Sequence, residues 1–282
     1  VSHREGRRGD GPDARRLLYF DLETTGTDPE SDRIVELAAV RPDDDELTVR
    51  RYHPGRPIPP GATAVHGIAD EDVADAPRFR EEAGRIQQLV EGRILCGYNI
   101  RSFDTVMLDL ELQRAGQPGL DLERVREVDL MRVWEEMEGG VRTGEAADGP
   151  PAGGEGGESP PDSAPDVKGP GWTLSHAVRR FLERELEDAH SAAADTRVLP
   201  RLLAALRETH GLSLEEMLVL SRRPDEVDRA GKLRRRRGHV VFAFGKHRGE
   251  PVTEHPDYAR WILDADFPSD TKRFIRRLLE ST

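Results

Sequence analysis

Apolar positions along the chain fall into short runs and one-faced stripes, never into long blocks. Leu17 to Leu22 (LLYFDL) is a short apolar run that predicts a buried strand. Ile34 to Val40 and Leu47 to His53 are also strand-like, and the charged turns between them suit an antiparallel meander. The segment RPIPPGA, residues 56–62, reads as a Pro-rich loop. Phe79, Ala83, Ile86, Leu89 and Val90 recur at helical spacing and predict a helix over Phe79 to Val90. A strand over Arg93 to Tyr98, a helix over Phe103 to Ala115 and a strand around Val128 to Leu130 come next. Helical patterns resume at Trp172 to Leu186 and Ala189 to Thr209, where Leu199, Leu202, Leu203 and Leu206 form one stripe. Leu214 to Ser221 adds a short helix. The last stretch predicts a strand over His239 to Phe244, a turn over Gly245 to Gly249, and helices over Pro256 to Asp264 and Ser269 to Leu279.

Composition divides this pattern into regions. Residues 1–16 are rich in Arg and Gly and are expected to be a disordered leader. Residues 17–221 carry most of the predicted elements. They are interrupted at 139–171 by a Gly/Pro-rich, acidic insertion that cannot bury enough apolar surface to offset its ordering entropy. Residues 222–238, ending in Lys232-Leu233-Arg234-Arg235-Arg236-Arg237, read as a basic linker, and 239–282 as a small carboxy-terminal α+β module.

Charge sharpens the division. The chain has 282 residues and a net charge of −12, which on its face disfavours a polyanionic partner. The total hides a gradient: from Arg229 onward 13 basic residues stand against 7 acidic ones, a net of +6, so the preceding 228 residues carry −18. Cys96 is the single cysteine, which excludes an internal disulfide and a cysteine-built zinc site. No apolar run approaches the ~20 residues of a membrane span, and the charged amino terminus lacks a secretory pattern. The expectation is a cytoplasmic chain with no membrane partner.

Three acidic constellations carry the candidate chemistry. Asp21 and Glu23 alternate onto one face at the end of the first strand, followed by Thr24-Thr25-Gly26. Gly97-Tyr98-Asn99, with Phe103-Asp104 shortly after, follows a buried strand and opens a helix, where open α/β sheets place ligand groups. His190 and Asp195 stand five residues apart at the start of the longest helix, so both can face one cleft. Taken singly, each has a bland reading as a solvated turn, a first-turn acid or an exposed helical pair. Together they supply four carboxylates, which repel one another unless hard cations neutralise them, and one imidazole suited to proton transfer near neutral pH.

Phe20-Asp21-Leu22-Glu23-Thr24-Thr25-Gly26, then Gly97-Tyr98-Asn99-Ile100-x-x-Phe103-Asp104, then His190-x-x-x-x-Asp195, resemble in order the three motifs of the DnaQ-like DEDDh family of 3′→5′ exonucleases. The resemblance covers about Leu17 to Leu206. It implies a ribonuclease H-like α/β domain with a mixed five-stranded sheet flanked by helices. By family role Asp21, Glu23, Asp104 and Asp195 would hold two Mg²⁺ or Mn²⁺ ions, with His190 as general base. Leu22, Thr24 and Thr25 would lie against the terminal nucleotide. His66, in Val65-His66-Gly67-Ile68, would line its pocket or cap a turn, Asn99 of the second motif would bind substrate or serve as a turn residue, and Phe103 would stack on a base or pack in the core. The implied partner is nucleic acid, DNA favoured over RNA. An RNA-directed, oligoribonuclease-like enzyme and a proofreading or adaptor subunit bound to a polymerase or another replication or repair protein are the alternatives. Oligomeric state is not legible.

Val241-Phe-Ala-Phe-Gly245-Lys246-His-x-Gly249-x-Pro251 with Pro256-x-Tyr258-x-x-Trp261 resembles the small module appended to exonuclease X-like proteins. It is expected either to hold nucleic acid or to form a mini-core in which Phe242, Phe244, Tyr258 and Trp261 pack together. His53, His66, His239, His247 and His255 show no metal-ligand spacing and are read as non-ligands.

Overall fold

A computed structural model of the chain describes residues 13–42, 47–138, 172–186, 191–265 and 267–280. The sequence expectations for the rest of the leader, the 139–171 insertion and His190 lie outside the described residues.

The meander forms as the alternation requires. β1 (Leu17–Thr24) pairs antiparallel with β2 (Ile34–Val40), which pairs antiparallel with β3 (Thr48–Arg51). β4 (Ile94–Gly97) and β5 (Arg126–Asp129) then extend the sheet in parallel, giving the order β3-β2-β1-β4-β5 with β1 at the centre. α3 (Phe79–Val90) and α4 (Asp104–Arg114) cover one face, packing Ile86, Val90, Met107, Leu108 and Leu112 onto Leu18, Phe20, Leu22 and Leu95. The other face takes α7 (Ala192–His210), whose Leu199, Leu202, Leu203 and Leu206 meet Leu17, Tyr19, Ile94, Cys96 and Val128. α5 (Leu130–Glu138), α6 (Leu174–Leu182) and α8 (Leu214–Ser221) complete that layer. The mixed, doubly covered sheet is the ribonuclease H-like architecture that the motif resemblance implies. Among the described residues no helix is long and apolar enough to cross a membrane.

Two short helices depart from the sequence expectation. Residues 56–62 contribute to α1 (Pro60–His66), because Pro60 occupies the first helical position, where its missing N–H costs nothing, and Gly67 at φ 74° ends the helix. α5 starts where β5 stops: the Asp129 carboxylate accepts the N–H groups of Met131 (3.2 Å) and Arg132 (3.3 Å), closing the first turn of a helix too short to show a clear period. α2 (Asp70–Val73) is a single turn after Gly67.

The largest departure is at 222–238. This stretch is not a linker. Leu233–Arg236 forms β6, paired antiparallel with β7 (His239–Phe242), so the basic run is one strand of a two-stranded sheet. Leu233 enters a second core with Phe242, Val252, Ala259, Ile262 and Ile275, built with α9 (Pro256–Asp264) and α10 (Ser269–Glu280). Arg235 and Arg236 stay exposed, so a charged run conceals a strand that turns one apolar side chain inward. Just ahead, Glu226 and Arg229 are sunk into the catalytic-type body. Arg229 donates to Glu127 (2.5 Å), to the Thr105 hydroxyl (3.0 Å) and to the Leu122 carbonyl (2.8 Å). Glu226 accepts from Arg101 (3.0 Å) and from Arg132, and Arg101 also pairs with Glu127 at 2.7 Å. Asp228 accepts from the Leu233 N–H and the Thr271 hydroxyl, and burial first, then Asp270, pushes its carboxyl up to about 7.

These buried pairs join body and module, so deleting residues 229–282 removes counter-charge from the body as well as the module itself. Replacing Arg229 with Ala leaves the Glu127 side chain, fully buried, with one of its two arginines. The expected cost is about 3–5 kcal/mol, the range for breaking a buried ion pair. Urea unfolding of wild type and Arg229→Ala measures it, and a loss below ~1 kcal/mol, the value of an exposed pair, would contradict the buried network.

Candidate active site

The site begins with strand parity. Leu17 and Tyr19 point to the α7 side of β1, so Asp21 and Glu23 follow on that side, half-buried at the strand's carboxyl end. Leu18, Phe20 and Leu22 point to the other side. Asp195 arrives from the first turn of α7, its N–H bonded to the Ser191 carbonyl at 2.9 Å. Asp104 opens α4 and is 5% exposed, at a helix start where the dipole favours a negative charge.

Electrostatics show that these four acids share one space. Burial raises the Asp21 carboxyl well above its ordinary range, and Asp104, Asp195, Glu23 and Glu36 each push it further. Burial, then Asp195, Asp104 and Glu36, pushes Glu23 up to about 8. The charged groups acting most strongly on both are all acids, each able to offer hard oxygen donors. This set fits divalent cations, which prefer several carboxylate oxygens.

Glu36 is a fifth member that the motifs do not mark. It lies directly across from Glu23 in the β1–β2 register, 4% exposed, and its carboxylate accepts from Arg51 Nε at 2.8 Å. Only the strand pairing brings it to the site.

Of three side chains expected at the terminal nucleotide, one faces the core and two hydrogen-bond within the loop. Leu22 is core, 5% exposed, on the face opposite Asp21 and Glu23, so only its backbone borders the site. Thr24 donates its hydroxyl to the Gly26 carbonyl at 2.7 Å. Thr25 is 1% exposed, donating to the Asp32 carboxylate (2.8 Å) and accepting the Arg33 N–H (3.0 Å). Asp32 also accepts the Asp28 N–H (3.0 Å), and any Cβ at Gly26 would collide with its carboxylate. Thr24-Thr25-Gly26 is therefore a loop clamp whose partner, Asp32, sequence reading misses because Asp-Arg after Ser31 looks like an ordinary charged turn.

His66, at the end of α1, accepts the Ile68 N–H through Nδ1 at 3.0 Å. Burial lowers its pKa, opposed by the Thr24 backbone and by Glu36, so this imidazole stands at the Thr24 end of the carboxylate cluster. Asn99 has φ 62° and accepts the Ser102 hydroxyl at 2.5 Å through Oδ1. Its N–H and that of Arg101 donate to the two oxygens of buried Asp129, at 3.0 and 3.1 Å. Asp129 thus ties the loop delivering Asp104 to the end of β5, a role hidden in sequence because its partners lie about 30 positions away. Phe103 is half-buried against the Leu18 and Phe20 cluster.

The histidines read as non-ligands include one group that the fold assembles. His247 Nδ1 and His255 Nε2 both contact one Glu250 carboxylate oxygen, at 2.7 and 2.5 Å, and their rings stack at 3.7 Å. Among the described residues these three groups place donor atoms within 4.8 Å of one another. With both nitrogens already directed at the carboxylate and the rings face to face, the trio acts as a hydrogen-bonded clip between the Gly245–Gly249 turn and the start of α9.

Glu23 gives a pH prediction. Its carboxyl titrates at about 8 in the fold against an ordinary 4.5, so across that interval the folded chain holds a proton that the unfolded chain has released. The stability of the ion-free protein should therefore fall as pH rises from 4.5 to 8. Added Mg²⁺ should reverse the trend and Glu23→Gln should flatten it. Thermal unfolding at graded pH checks this; a melting temperature that climbs steadily across the interval without Mg²⁺, by an amount Glu23→Gln abolishes, would invert the assignment.

Residues 18–137 match the family model described as Exonuclease, a segment that contains Asp21, Glu23 and Asp104 and stops before His190 and Asp195. A DNA polymerase III subunit epsilon-like protein of Rhodobacter capsulatus is 41% identical over 93 residues, 31% of this chain and 13% of the relative. The DNA polymerase III subunit epsilon of Pasteurella multocida is 35% identical over 108 residues, 35% of this chain and 42% of the relative. The chain thus spans less than half the length of these curated relatives. Escherichia coli Exonuclease I, solved in complex with a dT13 oligonucleotide, shares the fold with a TM-score of 0.54 at 24% identity, over 71% of this chain and 42% of that one. Residues 18–137 are therefore similar to exonuclease domains, and the sheet around them has the fold of Exonuclease I.

Proposed function

We propose that the chain is a metal-dependent 3′→5′ exonuclease that hydrolyses phosphodiester bonds from the 3′ end of single-stranded or frayed DNA and releases nucleoside monophosphates. The observation that carries this reading is the convergence of Asp21, Glu23, Asp104 and Asp195, from three separate elements, on one space within an exonuclease-type domain.

Asp21, Glu23, Asp104 and Asp195 would hold two divalent ions, Mg²⁺ or Mn²⁺. Such ions, when bound, neutralise the phosphodiester and stabilise charge on the attacking and leaving oxygens. His190 takes the proton of the attacking water as its oxygen bonds to phosphorus. The bond to the 3′-oxygen of the next nucleotide breaks, and that oxygen takes its proton from solvent water, to which His190 in turn returns the proton it accepted. The Thr24-Thr25-Gly26 clamp and the Asp129 bracket contribute by fixing where the acids stand, and His66 borders the nucleotide end of the cluster.

The names of the relatives favour DNA over RNA as substrate and bring a second reading, a proofreading subunit bound to a polymerase. Co-purification with a polymerase separates the second reading from a free-standing enzyme. Matched DNA and RNA oligomers separate the two sugars.

The test is digestion of 5′-labelled oligonucleotide with titrated Mg²⁺ and Mn²⁺. Asp21→Ala should abolish turnover, and His190→Ala should lower it by roughly 10²–10⁴, the range for loss of a general base. Shortening of the 5′-labelled oligonucleotide from its 3′ end at the wild-type rate by purified Asp21→Ala would overturn the assignment.

A further inference from the structure

In the carboxy-terminal module Phe244, Tyr258 and Phe267 pack against the core, and Trp261 extends their aromatic edge outward. Leu233, Phe242, Val252, Ala259, Ile262 and Ile275 are buried, yet four more aromatic rings form a closed circuit around them. Phe244 lies 5.1 Å from Phe267 and 6.3 Å from Tyr258. Trp261 lies 5.7 Å from Phe267 and 5.4 Å from Tyr258. Tyr258 and Trp261 stand three positions apart on α9 with ring planes only 13° apart, so they stack along the helix surface. Trp261 is 50% exposed, and among the described residues no other large aromatic is left so open.

Positive charge rims this circuit. Lys232 Nζ sits 5.4 Å from the Phe244 ring centre, and Lys246 Nζ sits 5.4 Å from that of Tyr258. The turn that carries Lys246 is closed tightly onto the rings: Gly245, at φ 65°, has no room for a Cβ beside the Tyr258 hydroxyl. His247, held by Glu250, lies 5.0 Å from Tyr258 on the same turn. The surface is thus rigid before any ligand arrives, which limits the ordering cost of binding. It offers a flat π-face with ammonium groups beside it, in a segment whose net charge is +6. A planar base attached to a phosphate matches both features. A duplex does not, because its base faces are already stacked on one another.

We propose that Trp261 and Tyr258, flanked by Lys246 and Lys232, form a stacking site for unpaired bases of single-stranded nucleic acid, a holding site separate from the carboxylate cluster. The substrate class rests on the exonuclease reading, but the site itself does not. Stacking tolerates any base, so the module retains a strand without selecting its sequence. The exposed arginines of β6 add general phosphate attraction and no base contact.

Fluorescence anisotropy of a labelled oligo-dT with the full chain in an Asp21→Ala background, which protects the probe, tests the site. Trp261→Ala should weaken binding roughly 5- to 100-fold, the range for one lost base stack, and Trp261→Phe should recover most of it. Lys246→Gln should reduce the slope of log affinity against log salt by about 0.7. In the otherwise wild-type chain, Trp261→Ala should leave hydrolysis of thymidine 5′-monophosphate p-nitrophenyl ester unchanged, since that ester has no strand to hold. Wild-type affinity in Trp261→Ala, or an unchanged salt slope in Lys246→Gln, would overturn the proposal, as would Trp261-dependent binding of an acidic peptide with no effect on oligo-dT. If the wild-type chain fails to cleave the ester while oligo-dT binding still depends on Trp261, the exonuclease reading fails and the stacking site stands.

Discussion

Mutual repulsion among half-buried carboxylates is the constraint around which this fold is arranged. Asp21, Glu23, Asp104, Asp195 and Glu36 each make the ionised form of a neighbour harder to reach, and burial compounds the effect. A chain left to relax would swing these side chains apart into water. Here each is fixed by something that cannot easily give: the centre of the sheet for Asp21 and Glu23, the strand partner for Glu36, and the first turns of two packed helices for Asp104 and Asp195. Around them lie small polar brackets, Thr25 with Asp32 on one side and Asp129 with the 99–101 backbone on the other. The brackets keep an unfavourable arrangement in register, so that cation binding relieves a strain already present rather than assembling a site from scattered parts.

A second layer of charge has the opposite character. Arg101, Arg132 and Arg229 interleave with Glu127 and Glu226 so that the buried charges are compensated. Opposite signs pair here where like signs crowd in the cleft. The two systems meet at α4, whose second residue, Thr105, accepts from Arg229 directly after Asp104. The small module is thereby anchored next to Asp104 through the Arg229–Thr105 contact.

Much of the fold is legible in the residues. The Leu17 to Leu22 run and the Leu199 to Leu206 stripe have periods that only a buried strand and an amphipathic helix satisfy, and the parity of β1 alone places Asp21 and Glu23 together. The candidate site is half legible. Acids next to glycine turns announce themselves, whereas Glu36 becomes part of the site through a cross-strand register that no local pattern encodes. Asp129 and Asp32 act on backbone groups brought near by folding. Leu22 misleads in the reverse direction, since alternation turns it away from Asp21 and Glu23, and the Thr25 hydroxyl is taken up by Asp32. The Lys232–Arg237 run misleads through composition: six residues dominated by charge look solvated, while Leu233 among them is part of a core.

The burial of Arg229 has a consequence for how such a chain changes over generations. A surface appendage can be lost through a late stop codon or exchanged by recombination with little penalty to the enzyme it decorates. Here the seam runs through the interior, and a cut ahead of Arg229 would leave the buried Glu127 with one of its two arginines. Body and module are therefore coupled through their packing, and a graft of this module onto another body would have to bring its receiving acid with it.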